Sequence, residues 1–538
     1  MEKTPTSRVR VPKGWLARPR GEKTLEPETS LQMMSAMQPL ARGCLRRLSV
    51  ALAIPLTVST LAAQIPAGKR NAARPDLVFV QAPTVQPGNL AERFPEGSRL
   101  VRLDRESSLP VNLTPDLFAS ADPQVSFDGS KILFAAKAEP TSRWQVWEMN
   151  SDGSAKRPLT HCEGDCVRPA YLPREEIVFT ALTKEATAPL SQLYVSKRDG
   201  SETHPITFGP GDFQVETVLQ DGMILASARA PLLPASEGNP RGKEQEPREL
   251  YTLRPDGSGL RTFRCDHQQP AVRSEAAELD DGSLVFLKRP LASPAMDGEL
   301  AMIRRGALHN SPLGNSPVMA YSLKQLSGEK LAVACLHSPA GHAARDGNAA
   351  AKLDLYVFDT EQEKLTGMIY QDPKLSSLAA VPVAAHAPPR WYWSTLTPAL
   401  EMGYFICLDS SLSDLPAQAG VAAGGRLPAA ASKVRVLTLD PATRQERSLG
   451  EAPVEKDGSF YIAVPPDRPV RFELLEAGGR VVRAQRSWIW ARPGEEHGCV
   501  GCHENRALAP ENRWPLALHR LDTPVGLGVK GGSQVVHE

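Results

Sequence analysis

The feature that most constrains this chain is a turn that keeps returning. Between about residues 75 and 410, a strand-like run ends in an Asp-Gly turn, a second run follows, and an Asp-Gly-Ser turn comes next. The stretch 123–160 shows it most clearly, with PQVSFDGSKILFAAK followed by WQVWEMNSDGSAKRPLT. Related copies occupy 169–207, 218–263, 278–306 and 325–365, with a blurred sixth in RWYWSTLTPALEMGYFICLD (390–409). The first turns of the five clear copies, at Asp128, Arg174, Asp221, Asp281 and Ser327, lie 46, 47, 60 and 46 residues apart. Asp-Gly supplies the positive φ that a tight hairpin needs, and the flanking runs alternate or stay apolar as half-buried or buried strands do. This is the period of a β-propeller blade. A four-stranded blade cannot bury both faces alone, so blades stack radially. The count is six blades, with seven left open. Two N-terminal runs, DLVFVQ (76–81) and SRLVRLD (98–104), are expected to be outer strands that close the ring with the last blade.

The fold class is therefore all-β, and the high Gly (40) and Pro (48) content agrees with a turn-rich chain. The propeller is expected over 75–410 and an Ala-, Gly- and Pro-rich linker over 411–432. A small β-sandwich-like domain is expected over 433–490, with strands at 433–440, 458–464, 470–477 and 480–490. In it Phe460, Ile462 and Val464 alternate with Tyr461 and Ala463. A short C-terminal segment and tail would fill 491–538.

The stretch 37–64 has the anatomy of a signal peptide within an N-terminal extension, 1–63. Arg42, Arg46 and Arg47 precede an apolar run from Leu48 to Ala63. That run is shorter than the roughly 20 residues needed to span a bilayer, so cleavage is expected, a retained anchor being the alternative. The mature chain is expected to be periplasmic or otherwise exported, with no membrane span. Lys plus Arg (62) balances Asp plus Glu (61), which argues against a nucleic-acid partner.

Directly after Trp488 and Trp490 stands R-P-G-E-E-H-G-C-V-G-C-H-E-N-R (492–506). Cys499, Cys502 and His503 form C-x-x-C-H, the attachment signature of one covalent c-type haem. The two thiols can add to the haem vinyl groups, and His503 can reach the iron as the proximal ligand. The alternatives are a redox C-x-x-C pair, for which no thioredoxin-like context is apparent, and a zinc site with His497 as a nearby ligand. His519 is the candidate distal ligand, because its distance along the chain lets the segment wrap back. Cys162 and Cys166, in C-E-G-D-C, are expected to form a short-loop disulfide in an oxidising compartment, metal binding with Asp165 or His161 being the alternative. Cys335 and Cys407 read as buried small hydrophobes, and Cys265, beside Asp266 and His267, as a candidate metal ligand.

The order of these parts resembles the hydrazine synthase alpha subunit family. The likeness is sharpest at D-P-Q-V-S-F-D-G (122–129), D-C-V-R-P-A-Y-L-P (165–173), V-E-K-D-G-S-F-Y-I (454–462) and R-S-W-I-W-A-R-P-G (486–494). The resemblance implies a propeller, a β domain and haem chemistry, and carries over to Cys499, Cys502 and His503 alone. Two departures matter. The family enzyme has two haem-attachment motifs in this subunit and this chain has one. The enzyme's iron-ligating Tyr corresponds to Ala507, and no Tyr follows Tyr461. The expected function is that of an exported monohaem c-type protein in redox chemistry, either electron transfer or haem catalysis on a small nitrogen or oxygen species. Its partner would be a redox protein or a small-molecule substrate. The alternative is a haemless propeller that serves as an interaction scaffold.

Overall fold

The computed structural model describes residues 75–86, 90–182, 190–229, 247–263, 270–291, 297–304, 307, 310–314, 318–336, 352–412, 431–440, 445–485, 487–501 and 514–528. All of these fall in one unit, Lys69–Glu538. The leader, Cys265, Cys502 and His503 lie outside the described residues.

Six four-stranded blades form the first part of the chain. Each clear sequence copy becomes one blade; in the first four the outer strand is only two residues long, and in the fifth it is Lys364–Tyr370. The blade of the 123–160 copy, for example, is Ala119–Val125, Lys131–Lys137, Gln145–Asn150 and Arg157–Pro158. Such short outer strands leave little unpaired edge for another chain to join. The sixth blade closes the ring. Its innermost strand is Ser376–Pro382, which pairs with Leu77–Ala82, followed by Arg99–Leu103 and Val111–Asn112. The N-terminal runs thus take the closing position expected for them.

The blurred copy at 390–409 does not supply that blade. Its strand, Gly403–Asp409, pairs with Phe460–Val464 and Glu496–Gly501 in a different sheet. The physical reason is that Ser376–Pro382 already fills the inner position, so the ring has no place for another strand. The alternating burial of Gly403–Asp409 identifies a strand, but a period of two does not say which sheet it joins.

Blade-to-blade packing reuses the Asp-Gly-Ser turns. Gly200 and Gly257 hold φ of +86° and +82° and lie against the carbonyls of Leu159 and Ile206 in the preceding blade. A Cβ would come within 2.2 Å of the first oxygen and 2.5 Å of the second, so these positions require glycine for two separate reasons. On the innermost strands, Arg168 forms ion pairs with Glu216 (3.2 Å) and Glu275 (2.7 Å), and Arg93, just after the turn Leu90–Glu92, reaches Asp122 on one of them. Buried charges require such partners.

Two further four-stranded sheets face one another across a shared core of Phe405, Cys407, Val434, Val436, Ile462 and Phe472, among others. One sheet runs Glu496–Gly501, Gly403–Asp409, Phe460–Val464, Val525–Gly526. The other runs Glu446–Pro453, Lys433–Leu439, Val470–Leu475, Val481–Ala484. The small domain is therefore a sandwich, but it takes strands from both sides of the stretch 433–490. Glu496–Gly501, which carries Cys499, is one of its strands, because the edge of Gly403–Asp409 offers it a ladder.

Candidate functional site

Cys499 sits on the strand Glu496–Gly501, at the edge of the first sandwich sheet. The pairing with Gly403–Asp409 is parallel, with Phe405 opposite His497 and Cys407 opposite Cys499. Side chains alternate between faces, so His497 and Cys499 share the face of Phe405 and Cys407, toward the core. The His497 ring packs on Phe405 at 5.3 Å, and Cys499 is half-buried against the same core. The opposite face carries Tyr404, Ile406, Tyr461, Glu496 and Gly498. Tyr404 and Tyr461 lie 6.2 Å apart by ring centroid, and burial together with the Glu496 carboxylate pushes the Tyr461 phenol up. A Cβ built on Gly498 would meet nothing within 4 Å.

The residues before the strand fix its position on the propeller. Trp490 is fully buried in a propeller core cluster, edge-on to Phe213 (5.6 Å) and Phe208 (6.0 Å). Its indole N–H donates to the Gly257 carbonyl at 3.1 Å. Glu495 bridges the two parts: Oε1 accepts from the Gly259 amide at 2.7 Å and Oε2 from the Arg492 amide at 2.8 Å. Arg492 pairs with Asp467 (3.1 Å) and lies over the Phe208 ring (4.7 Å). Burial pushes the Asp467 carboxyl up, and Arg492 opposes that shift. Gly494, at φ +74°, gives the turn into the strand, and a Cβ there would crowd Thr397 at 3.0 Å.

The segment after the closing blade reinforces this docking. The His386 amide donates to the Phe127 carbonyl (2.8 Å) and the Arg390 amide to the Gln220 carbonyl (3.0 Å). Arg174 stacks over Trp391 (4.7 Å) and Trp393 (4.0 Å), and the Ser394 hydroxyl donates to Asp256 (2.7 Å). These contacts fall on or beside hairpin turns of successive blades, three of them Asp-Gly turns (128–129, 221–222 and 256–257) and one the Arg174-Glu175 turn. One turn, Asp256-Gly257-Ser258-Gly259, receives Ser394, Trp490 and Glu495 together.

Of the residues singled out in the sequence, Cys499 is placed as described, while Cys502 and His503 lie outside the described residues. His519 is exposed at the end of a single turn, Leu516–His519, held by Asp457 and Ser459 through the Leu516 and Ala517 amides (2.9 and 3.0 Å). That turn packs on Phe460–Val464, so the strand Gly403–Asp409 lies between it and Cys499. His497 faces the sandwich core with its Nδ1 3.8 Å from Glu495. No group of three metal-ligating side chains occurs among the described residues. Cys162 and Cys166 are disulfide-bonded, with Cα atoms 6.4 Å apart. Cys335 is buried, which pushes its thiol up to about 12, and Cys407 is also buried.

Sequence reasoning did not find the docking role of Trp490 and Glu495, or the place of Cys407. The two tryptophans beside the motif were the available signal. Nothing local could place Cys407, because its neighbour in the ladder is far away along the chain.

Cys499 thus faces the sandwich core, whereas the aromatic face with Tyr404, Tyr461 and Gly498 is the opposite side of the sheet.

Residues 418–504 match the family model for the hydrazine synthase alpha subunit middle domain. Hydrazine synthase subunit alpha of Kuenenia stuttgartiensis is 36% identical over 99 residues, which are 18% of this chain and 12% of that protein. The chain thus matches only a small part of that relative's length. The solved hydrazine synthase of Kuenenia stuttgartiensis is similar in fold, with a TM-score of 0.71 and 21% identity over 83% of this chain and 72% of that one. TolB from Acinetobacter baumannii is similar at a TM-score of 0.40 and 14% identity, over 56% of this chain and 65% of that one.

Proposed function

We propose, from its place as a hydrazine synthase alpha-like protein, that this chain carries one covalent c-type haem and takes part in redox chemistry outside the cytoplasm. The carrying observation is the docking of the strand that bears Cys499, held on the propeller by Trp490, Arg492 and Glu495 immediately upstream. Cys499 and Cys502 would hold the group through thioethers, and His503 would bind its iron. Such a group supplies one-electron transfer, or redox chemistry on a small nitrogen or oxygen species if the iron keeps an open position. The chain's own part is orientation. The propeller turn at 256–259 fixes where the strand begins, and the sandwich fixes its register. The Cys162–Cys166 disulfide supports an oxidising compartment, in line with the leader at 37–64. His519 remains the candidate distal ligand, and a redox protein or a small-molecule substrate the candidate partner.

The test is to express the chain in a host with c-type haem maturation and record the pyridine haemochrome and reduced spectra, with and without CO. A covalent c-type signature supports the reading. Within it, CO binding points to catalysis, and its absence to electron transfer with a filled sixth position. A chain without covalent haem, behaving identically as a Cys499→Ala, Cys502→Ala variant, would leave the interaction scaffold instead.

A further inference from the structure

We infer that Cys407 is a second covalent partner for Cys499: the two, unbridged in this structure, form a disulfide when the haem-free chain is oxidised, and that bond competes with haem attachment. This rests on the haem reading for its consequence but not for its chemistry. Cys407 and Cys499 are register partners in the parallel ladder between Gly403–Asp409 and Glu496–Gly501. Adjacent strands lie about 4.7–4.9 Å apart, within the Cα separation that a disulfide spans. Both side chains are on the core side of the sheet, Cys407 inside the cluster and Cys499 against it. Their exposures differ. Cys407 is buried, whereas Cys499 is half-exposed on an edge strand and so meets solvent first.

The step is thiol–disulfide exchange with a small disulfide such as oxidised glutathione. The Cys499 sulfur attacks the disulfide and displaces one glutathione. The Cys407 sulfur then attacks the mixed disulfide and displaces the second. Two cysteine thiols are oxidised to one disulfide, one glutathione disulfide is reduced to two thiols, and the two cysteine protons pass to the departing thiolates. A Cys499 sulfur held in this bond cannot add to a haem vinyl group, so attachment would first require reduction.

The full chain, produced in an oxidising compartment without haem maturation, is alkylated, digested without reductant and mapped by mass. The expected result is a peptide joining Cys407 to Cys499, lost on reduction and absent from Cys407→Ser. Alkylated Cys407 and Cys499, or a Cys499–Cys502 link instead, would overturn the inference. Because the mapping uses the unaltered chain, a Cys407→Ser variant that fails to fold does not weaken it. In a second arm with haem maturation and a glutathione buffer, Cys407→Ala should load more covalent haem than the unaltered chain as the buffer becomes more oxidising. Equal loading across the buffers would count against the competition. Absence of haem from both proteins, with the linked peptide present, would sink the haem reading and leave the disulfide standing.

Discussion

Six Asp-Gly-Ser turns among the described residues share one local chemistry, and three of them, in successive blades, differ in use. At Asp152, Asp199 and Asp256 the carboxylate accepts from the amide and the hydroxyl of the Ser two residues on. At Asp152 and Asp199 the carboxylate stays exposed, and these serine bonds hold it below the usual range. At Asp256 the same turn also receives Ser394, while its glycines receive Trp490 and Glu495. A hairpin turn presents rigid carbonyls and amides whether or not anything binds them. What distinguishes the blade 256–259 belongs to is the chain that reaches it, together with a second glycine, Gly259, whose amide points at Glu495.

The comparison can be broken most forcefully at Trp490. Truncating a fully buried Trp to Ala removes both packing and a hydrogen bond, at a cost of about 3–5 kcal/mol. Trp490→Ala should also split thermal unfolding into two transitions in calorimetry, as the sandwich loses its hold on the propeller. Gly257→Ala and Gly200→Ala should each cost on the order of 1–3 kcal/mol from forced positive φ and carbonyl crowding. Only the Gly257 change should loosen the sandwich, read as faster hydrogen exchange in 487–501. Ser394→Ala removes the hydroxyl's bond to Asp256 and the one it accepts from the Leu396 amide, both exposed, and should cost about 0.5–1.5 kcal/mol in denaturant titrations. The mildest contrast is Asp199→Asn. A carboxyl depressed in the folded state stabilises above its unfolded pKa, and that contribution fades as pH falls through the folded value. The variant should therefore differ from the unaltered chain near neutral pH and converge with it in acid, as followed by melting temperature.

The propeller was legible because each blade repeats the same short-range signals. Asp128-Gly129, Asp152-Gly153 and their equivalents mark hairpins that neighbouring residues alone make. The sandwich was less legible because its partners are distant. Gly403–Asp409 looked like more propeller, Glu446–Pro453 has an irregular, largely exposed pattern, and Glu496–Gly501 carries two glycines and a histidine. Cys499 could be named from spacing, since C-x-x-C-H is local. Its neighbour Cys407, and the turn that fixes its strand, depend on tertiary packing that no window of sequence contains.

The ring closure has a consequence for how the protein comes to exist. Leu77–Ala82 is buried at every position, yet half of its pairing comes from Ser376–Pro382. A nascent chain carries this apolar strand, with one edge unmet, until nearly three hundred further residues have been made. Long-range closure of this kind is slow, and an unpaired apolar edge is a template for aggregation. A fragment ending before residue 376 would keep that edge exposed permanently. The segment that clasps the Asp-Gly turns begins immediately after Pro382, so completing the circle also delivers the tether that brings the second domain to its seat.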